Sequence, residues 1–292
     1  MDNHTSAGQC LRDAIAAEQP LQMVGVINAY CALLAQHAGF KALYLSGAGV
    51  ANASYGLPDL GLTNIDNVLI DIHRISAASD LPLLVDADTG FGDPAGTAER
   101  FIAAGAAGMH IEDQIEQKRC GHRPNKHLVS TEEMCDRIRA AASARNNSDF
   151  AIMARTDAFA AEGIDAALER IHRYIEAGAE MVFPEALTEL EQYQQITANI
   201  DVPVLANITE FGQTQLFSVD ELASARVAIA LYPLTAFRSM SAAAEQAYTS
   251  LRQQGTQKSL LDTMQTREQL YQHLDYYRYE QKIDEVLDDD DK

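Results

Sequence analysis

Short apolar runs alternate with helix-period segments along most of the chain. The runs are Met23–Ile27, Ala42–Leu45, Leu83–Val85, Gly108–Ile111, Phe150–Ala154, Met181–Phe183, Val204–Ala206 and Val227–Leu231. Each is short and apolar throughout, as expected for a strand buried on both faces of a parallel sheet. Between them, Ile65, Val68, Leu69, Ile72 and Ile75 share one helical face, as do Ile164, Leu168, Ile171 and Ile175. Ser130-Thr131-x-Glu133 reads as a capping box, and Gly105 and Gly178 stand where helices should stop. Eight strand–helix units predict an α/β fold, a parallel (β/α)8 barrel of the TIM type. A doubly wound open sheet is the main rival, but no G-x-G-x-x-G follows the first run. A helical tail follows, roughly from Thr263 to Val286, with Leu270, Leu274, Tyr277 and Ile283 as its apolar positions. A helix beyond barrel closure suits packing on a neighbouring copy. No interior linker or composition shift is visible, so residues 1–287 read as one domain. The acidic run at 288–292 reads as a disordered tail, native or left by a cleaved tag.

Composition narrows the function classes. The 292 residues carry 42 Asp and Glu against 22 Lys and Arg, a net charge of −20. Such a surface repels nucleic acid and anionic lipid, which excludes both as expected partners. No apolar run approaches the roughly 18–20 residues of a membrane span, and the first residues lack the pattern of a secretory signal. Cys10, Cys31, Cys120 and Cys135 form no C-x-x-C pair, which fits a reducing cytoplasm.

The chemistry gathers where the strands end. The successive ends read Tyr44-Leu45-Ser46-Gly47-Ala48, Asp86-Ala87-Asp88, His110-Ile111-Glu112-Asp113, Arg155-Thr156-Asp157, Glu185 and Asn207-Ile208-Thr209. In a parallel barrel these ends meet on one rim, where barrel enzymes carry their active sites. Asp86 and Asp88, two apart on a strand, are expected to point the same way. Crowded carboxylates call for a cation between them, and Mg²⁺ suits because it prefers oxygen and takes only one or two carboxylates. The competing reading is a pair of solvated strand-end acids, one of them a helix cap. Glu112 and Glu185 on the same rim favour the metal. The segment Gln117–Lys126 holds Lys118, Arg119, His122, Arg123 and Lys126 around Cys120. Neighbouring cations lower a thiol's pKa and make it a proton donor or nucleophile; the alternative is a small buried cysteine. Arg155 needs an anion, either a substrate carboxylate or an internal partner such as Asp157 or Glu185. These residues alone point to a small polycarboxylate held at a barrel rim by a divalent ion and cationic groups, in a reaction that builds negative charge and moves a proton.

Taken together, Lys118-Arg119-Cys120-Gly121-His122, Asp86-Ala87-Asp88 and Asn207-Ile208-Thr209 resemble the isocitrate lyase/phosphoenolpyruvate mutase superfamily. Supporting stretches are Gly56-Leu57-Pro58-Asp59-Leu60-Gly61, His110-Ile111-Glu112-Asp113-Gln114, Met153-Ala154-Arg155-Thr156-Asp157 and Gly255-Thr256-Gln257-Lys258. The resemblance runs from about Val24 to about Leu287. The cysteine motif is similar to the lyase branch, since the mutase branch lacks that Cys, and the large insertions of isocitrate lyases proper are absent. The resemblance implies cleavage of (2S,3R)-2-methylisocitrate to pyruvate and succinate with Mg²⁺, Mn²⁺ substituting, in the methylcitrate cycle of propionate catabolism. It implies metal ligation by Asp86, Asp88 and Glu112. Cys120 takes the role of general acid, assisted by Lys118 and His122, with Tyr44 and Asp59 near the reacting hydroxyl. Ser46, Gly47, Ala48, Cys120, Gly121, His122, Arg155, Glu185, Asn207, Ile208, Thr209, Arg238 and Arg267 are the implied substrate contacts. A homotetramer, a dimer of dimers with exchanged terminal helices, and a tricarboxylate partner are implied as well. The sequence departs from the family at Ala48, where a second Gly is usual; the backbone N–H is retained.

Overall fold

The structure, a computed structural model, describes residues 5–116, 126–145 and 149–290, with side chains to residue 287. It consists of two compact units, 1–237 and 238–292.

The first unit carries eight parallel strands: β1 (Leu21–Gly25), β2 (Ala42–Leu45), β3 (Leu83–Asp86), β4 (Gly108–Glu112), β5 (Ala151–Thr156), β6 (Met181–Pro184), β7 (Leu205–Asn207) and β8 (Ile229–Tyr232). Their order is β6-β5-β4-β3-β2-β1-β8-β7, and a parallel bridge between Val182 and Val204 joins β6 to the foot of β7. The eight-stranded α/β barrel expected from the apolar runs is therefore present, and the open doubly wound sheet is not.

Strand bounds differ from the apolar runs for physical reasons. β1 starts two residues before its run because Leu21 and Gln22 pair with Ile229 and Ala230 of β8. Its run overshoots because Asn28 caps the helix Ala29–His37 through Cys31 N, so Val26 and Ile27 belong to the approach to that helix. Several strands extend into polar residues at their C-terminal ends. Asp86, Glu112, Arg155 and Asn207 all sit in ladder register, with Asp86 opposite His110, Glu112 opposite Arg155 and Asn207 opposite Leu231. Ladder hydrogen bonds use the backbone, so a polar side chain at a strand end does not interrupt them.

Two apolar clusters divide the alternate residues of each strand. Leu43, Leu45, Val85, Met109, Ile111, Ile152, Ala154 and Val182 pack outward against the helix ring, with Ile72, Ile75, Ile138 and Ile171 among their partners. Met23, Tyr44, Leu84, Met153, Met181, Phe183, Leu205 and Leu231 fill the barrel interior. Leu11 and Ile15 of the N-terminal helix Ala7–Ala17 join the interior cluster, so this helix stoppers the barrel at the strands' N-terminal ends. The opposite end is left to polar residues.

The local signals are met in part. The helix Thr131–Ser143 is capped by Ser130, whose Oγ accepts from Glu133 N at 3.2 Å. The expected return bond from Glu133 is replaced by an ion pair with Arg137 at 2.7 Å. Gly105 and Gly178 adopt φ of 94° and 116° just past the ends of the helices Pro94–Ala103 and Ile164–Glu176, as the left-handed stop requires.

The second unit holds most of the helix Thr235–Gln254, then a 3-10 turn over Lys258–Thr263 and the helices Arg267–His273 and Tyr276–Asp290. The helical tail expected from roughly Thr263 to Val286 is thus present as two helices. They are separated at Asp275, whose φ of 52° is incompatible with continuing a right-handed turn. Tyr271 and Tyr276 stack across the break, ring centroids 4.0 Å apart. Tyr279, Ile283, Val286 and Leu287 are exposed. Of the acidic run, 288–290 continue the last helix, and Asp291 and Lys292 lie outside the described residues.

Candidate active site

The C-terminal ends of the strands bring a dense set of buried polar groups together. Asp86 closes β3, and the chain then turns sharply, with Asp88 at a φ of 48°. The two acids therefore do not share a face by strand alternation, as their spacing suggests. A tight turn brings them together instead: Asp86 Oδ1 accepts from Asp88 N at 3.1 Å. Gly47, at the end of β2, donates its N–H to Asp86 Oδ2 at 3.0 Å. A Cβ placed on Gly47 would lie 3.0 Å from Asp86 Oδ2 and 3.2 Å from Asp88 Oδ1, so both carboxylates converge on the space this glycine leaves. A stretch of π-helix, Val50–Ser54, follows the Ser46–Ala48 turn, a departure from regular helix often found beside functional sites.

Below the two acids lies His110, fully buried. Its Nε2 is 2.8 Å from Tyr44 Oη and 3.5 Å from Asp86 Oδ1, and its ring meets Phe183 edge-on with centroids 5.3 Å apart. Phe183 was not singled out by sequence, and His110 was marked only as part of a strand end, with no role of its own. Their signal is strand period: each stands two residues before a rim acid, Glu112 and Glu185, on the same inward face.

Arg155 forms the second centre. Its guanidinium meets three carboxylates: Glu112 at 3.3 Å, Asp157 at 3.0 Å and Glu185 at 3.2 Å. It also lies over the Phe183 ring, 5.1 Å from the centroid. Burial opposes this charge, but Asp157 first, then Glu112 and Glu185, overcome it and raise the Arg155 pKa well above its usual value. The internal ion pairs weighed for Arg155 are thus present together. Asn207 donates to Glu185 at 3.4 Å, and Ala186, held at φ 60°, gives its N–H to the same carboxylate at 2.9 Å.

Behind this lies Asp113, fully buried. It accepts from Thr156 Oγ1 at 2.7 Å, Tyr174 Oη at 2.9 Å and Asp157 N at 2.9 Å. Burial and the nearby Asp157 charge raise its pKa, against the pull of these three donors.

Of the expected residues, the strand ends gather Tyr44, Ser46, Gly47, Asp86, Asp88, Glu112, Arg155, Glu185, Asn207, Ile208 and Thr209; all are buried. Ala48 follows Gly47 and is half-buried, and Asp59 is half-buried in the loop over 56–64. Lys118, Cys120, Gly121 and His122 lie outside the described residues. Arg238 and Arg267 belong to the second unit, on the helix Thr235–Gln254 and at the start of the helix Arg267–His273.

Among the described residues, no three His, Cys, Asp or Glu side chains are arranged to enclose a metal. Glu112 turns to Arg155, which leaves two convergent carboxylates. That donor set suits Mg²⁺ or Mn²⁺, which accept one or two hard oxygen ligands and keep water for the rest; it does not suit a closed structural zinc site. Among the described residues no helix is long and apolar enough to cross a membrane.

Known proteins are similar to this chain in sequence and fold. The chain is 61% identical over 286 residues to 2-methylisocitrate lyase of Escherichia coli (strain K12), covering 97% of each sequence. The crystal structure of 2,3-dimethylmalate lyase superposes with a TM-score of 0.87 at 34% identity, covering 94% of both chains. Phosphonopyruvate hydrolase in complex with oxalate and Mg²⁺ superposes with a TM-score of 0.82 at 25% identity, covering 94% of this chain and 97% of that one. From residue 11 to residue 252 the sequence matches the model of the phosphoenolpyruvate phosphomutase family, and the chain belongs to that family.

Proposed function

We propose that this protein is a carbon–carbon lyase that cleaves (2S,3R)-2-methylisocitrate to pyruvate and succinate. The observation that carries the reading is the convergence of Asp86 and Asp88 on the open side of Gly47, inside a barrel whose sequence is 61% identical to a 2-methylisocitrate lyase. The metal in this reading is Mg²⁺, with Mn²⁺ as a substitute; Asp86 and Asp88 would hold it, and Glu112, the third acid of the expected set, would have to turn from its ion pair with Arg155 to join them. Once bound, the ion would act as a Lewis acid toward charge developing on substrate oxygen.

The chain's own residues supply the rest. Gly47 N–H fixes one oxygen of Asp86 and leaves space that any side chain would fill. Ser46, Gly47 and Ala48 take the pyruvate-like part of the substrate. Arg155, Glu185, Asn207, Ile208 and Thr209 take the remaining polar groups, together with Gly121, His122, Arg238 and Arg267. Tyr44 or Asp59 stands near the hydroxyl whose proton is removed. As the C–C bond breaks, its electrons pass into the succinate carboxylate and form an aci-carboxylate. Cys120, with Lys118 and His122 tuning its charge, protonates the carbon. The cationic motif matters because a net charge of −20 opposes a trianion everywhere else.

A cytoplasmic homotetramer with exchanged terminal helices belongs to the same proposal. Cys10, Cys31 and Cys135, none of them in a disulfide, support a reducing compartment, and the exposed Ile283, Val286 and Leu287 support helix packing between copies. The deciding experiment measures pyruvate release from 2-methylisocitrate beside glyoxylate release from isocitrate, each with and without a chelator. Metal-dependent pyruvate release at the higher rate is expected. A higher rate on isocitrate would replace the reading with isocitrate lyase, and tight binding without turnover would leave a carboxylate-binding barrel.

A further inference from the structure

Lys126 closes the basic motif in the sequence, where it counts as one more cation for an anionic ligand. The structure gives its charge a different destination. The Lys126 side chain is 4% exposed, and its Nζ donates to Asp157 Oδ1 at 2.6 Å. Asp157 is fully buried, and it also accepts from Arg155 at two points, Nε at 3.0 Å and Nη2 at 3.2 Å. One carboxylate is thus divided between two buried cations. Its backbone is fixed in turn, since Asp157 N donates to Asp113 at 2.9 Å.

The charge count around Arg155 explains why the division matters. Glu112, Asp157 and Glu185 all reach the guanidinium. Three acids facing a single cation would hold that cation tightly and repel an arriving carboxylate. Lys126 draws on Oδ1 of Asp157, which weakens the claim of that acid on Arg155 and brings the cluster closer to neutrality. In a buried setting such terms are large, because water does not screen them.

We propose that Lys126 and Asp157 form a positioning pair for Arg155: Lys126 offsets the charge of Asp157, so that the guanidinium keeps both its orientation and its capacity to bind a substrate carboxylate. Neither residue needs to touch the substrate. The proposal deepens the reading of Arg155 as a substrate-binding group and rests on it.

The test uses the full chain with Mg²⁺ and three variants: Lys126→Met, Asp157→Asn and the double variant. Steady-state rates on 2-methylisocitrate are measured, with calorimetric binding of succinate as a readout independent of turnover. Lys126→Met should raise KM and the succinate Kd by at least about tenfold while kcat changes less, the pattern of lost uniform binding. The double variant, which removes both charges, should lose less than the product of the two single losses, because partners in one network do not act independently. Thermal midpoints identify a variant that has failed to fold; the double variant, with no charge stranded, then carries the test through its succinate Kd, which should exceed that of the parent. Lys126→Met with KM and Kd within about twofold of the parent would overturn the proposal, as would strictly multiplicative losses. If the parent chain binds succinate but turns over no 2-methylisocitrate, the lyase reading fails while the Kd comparison still decides the pair.

Discussion

At the scale of single residues, the site depends on what is missing as much as on what is present. Gly47 has no side chain where Asp86 and Asp88 need room, and a Cβ there would meet their oxygens at 3.0 and 3.2 Å. Gly47→Ala is therefore expected to keep the fold and the thermal midpoint but to raise the Mg²⁺ concentration needed for half-maximal rate by about tenfold or more; an unchanged metal titration would show that the acids do not share an ion. Asp86→Ala should act in the same direction and more strongly. For Cys120, replacement by Ser is expected to cut turnover by about 10²–10⁴-fold, the range of a general acid, and full activity would remove the thiol from the reaction. The sequence made the acids visible but not their geometry. Their spacing suggested a shared strand face, whereas the convergence comes from a left-handed turn at Asp88 that no periodicity encodes. Arg155 shows the same limit: the residue was legible as an anion binder, but its three simultaneous partners come from β4 and the turns after β5 and β6, and no local pattern announces such a meeting.

At the scale of elements, most of the barrel was legible because doubly buried strands must be apolar. Strand ends were less so, since backbone pairing continues through Asp86, Glu112 and Asn207 regardless of their side chains. Caps can be tested directly. The Ser130 side chain accepts the Glu133 N–H at the start of the helix Thr131–Ser143, and Ser130→Ala should lower stability by about 1 kcal/mol, read as a shift in the urea midpoint. The short helix Val219–Ser224 has a full capping box between Ser218 and Glu221. Hydrogen bonds from Ser218, first its backbone N–H and then its hydroxyl, lower the Glu221 pKa in the folded state. A depressed carboxylate stabilises the fold above its unfolded pKa, and that contribution is lost as pH falls through the folded value. Between about pH 5 and pH 3, spanning the ordinary Glu pKa of about 4.3, Glu221→Gln should make the fall in stability shallower. An identical slope would detach the cap from acid sensitivity.

At the scale of the whole molecule, the tail and the barrel follow different rules. The barrel strands bury their apolar residues, while the last helices leave Tyr279, Ile283, Val286 and Leu287 in water. A small helical unit with so much apolar surface gains stability from covering it. In the proposed assembly, Ile283→Lys is expected to reduce the mass measured by sedimentation, and an unaltered mass would count against subunit contacts on this surface. The break at Asp275 was hidden in the sequence, because the apolar spacing of Leu270, Leu274 and Tyr277 continues across it.

The N-terminal helix carries a consequence for traffic. With Leu11 and Ile15 packed among the side chains that fill the barrel interior, the N-terminal ends of the strands are closed, and the polar groups stand at the opposite ends. A ligand meeting Asp86, Asp88 and Arg155 therefore comes and goes at the strands' C-terminal ends, and two fragments formed there share that approach. Accumulating either fragment should then slow turnover by occupying that approach, and a fragment that left the rate unchanged would show that it does not return to the site.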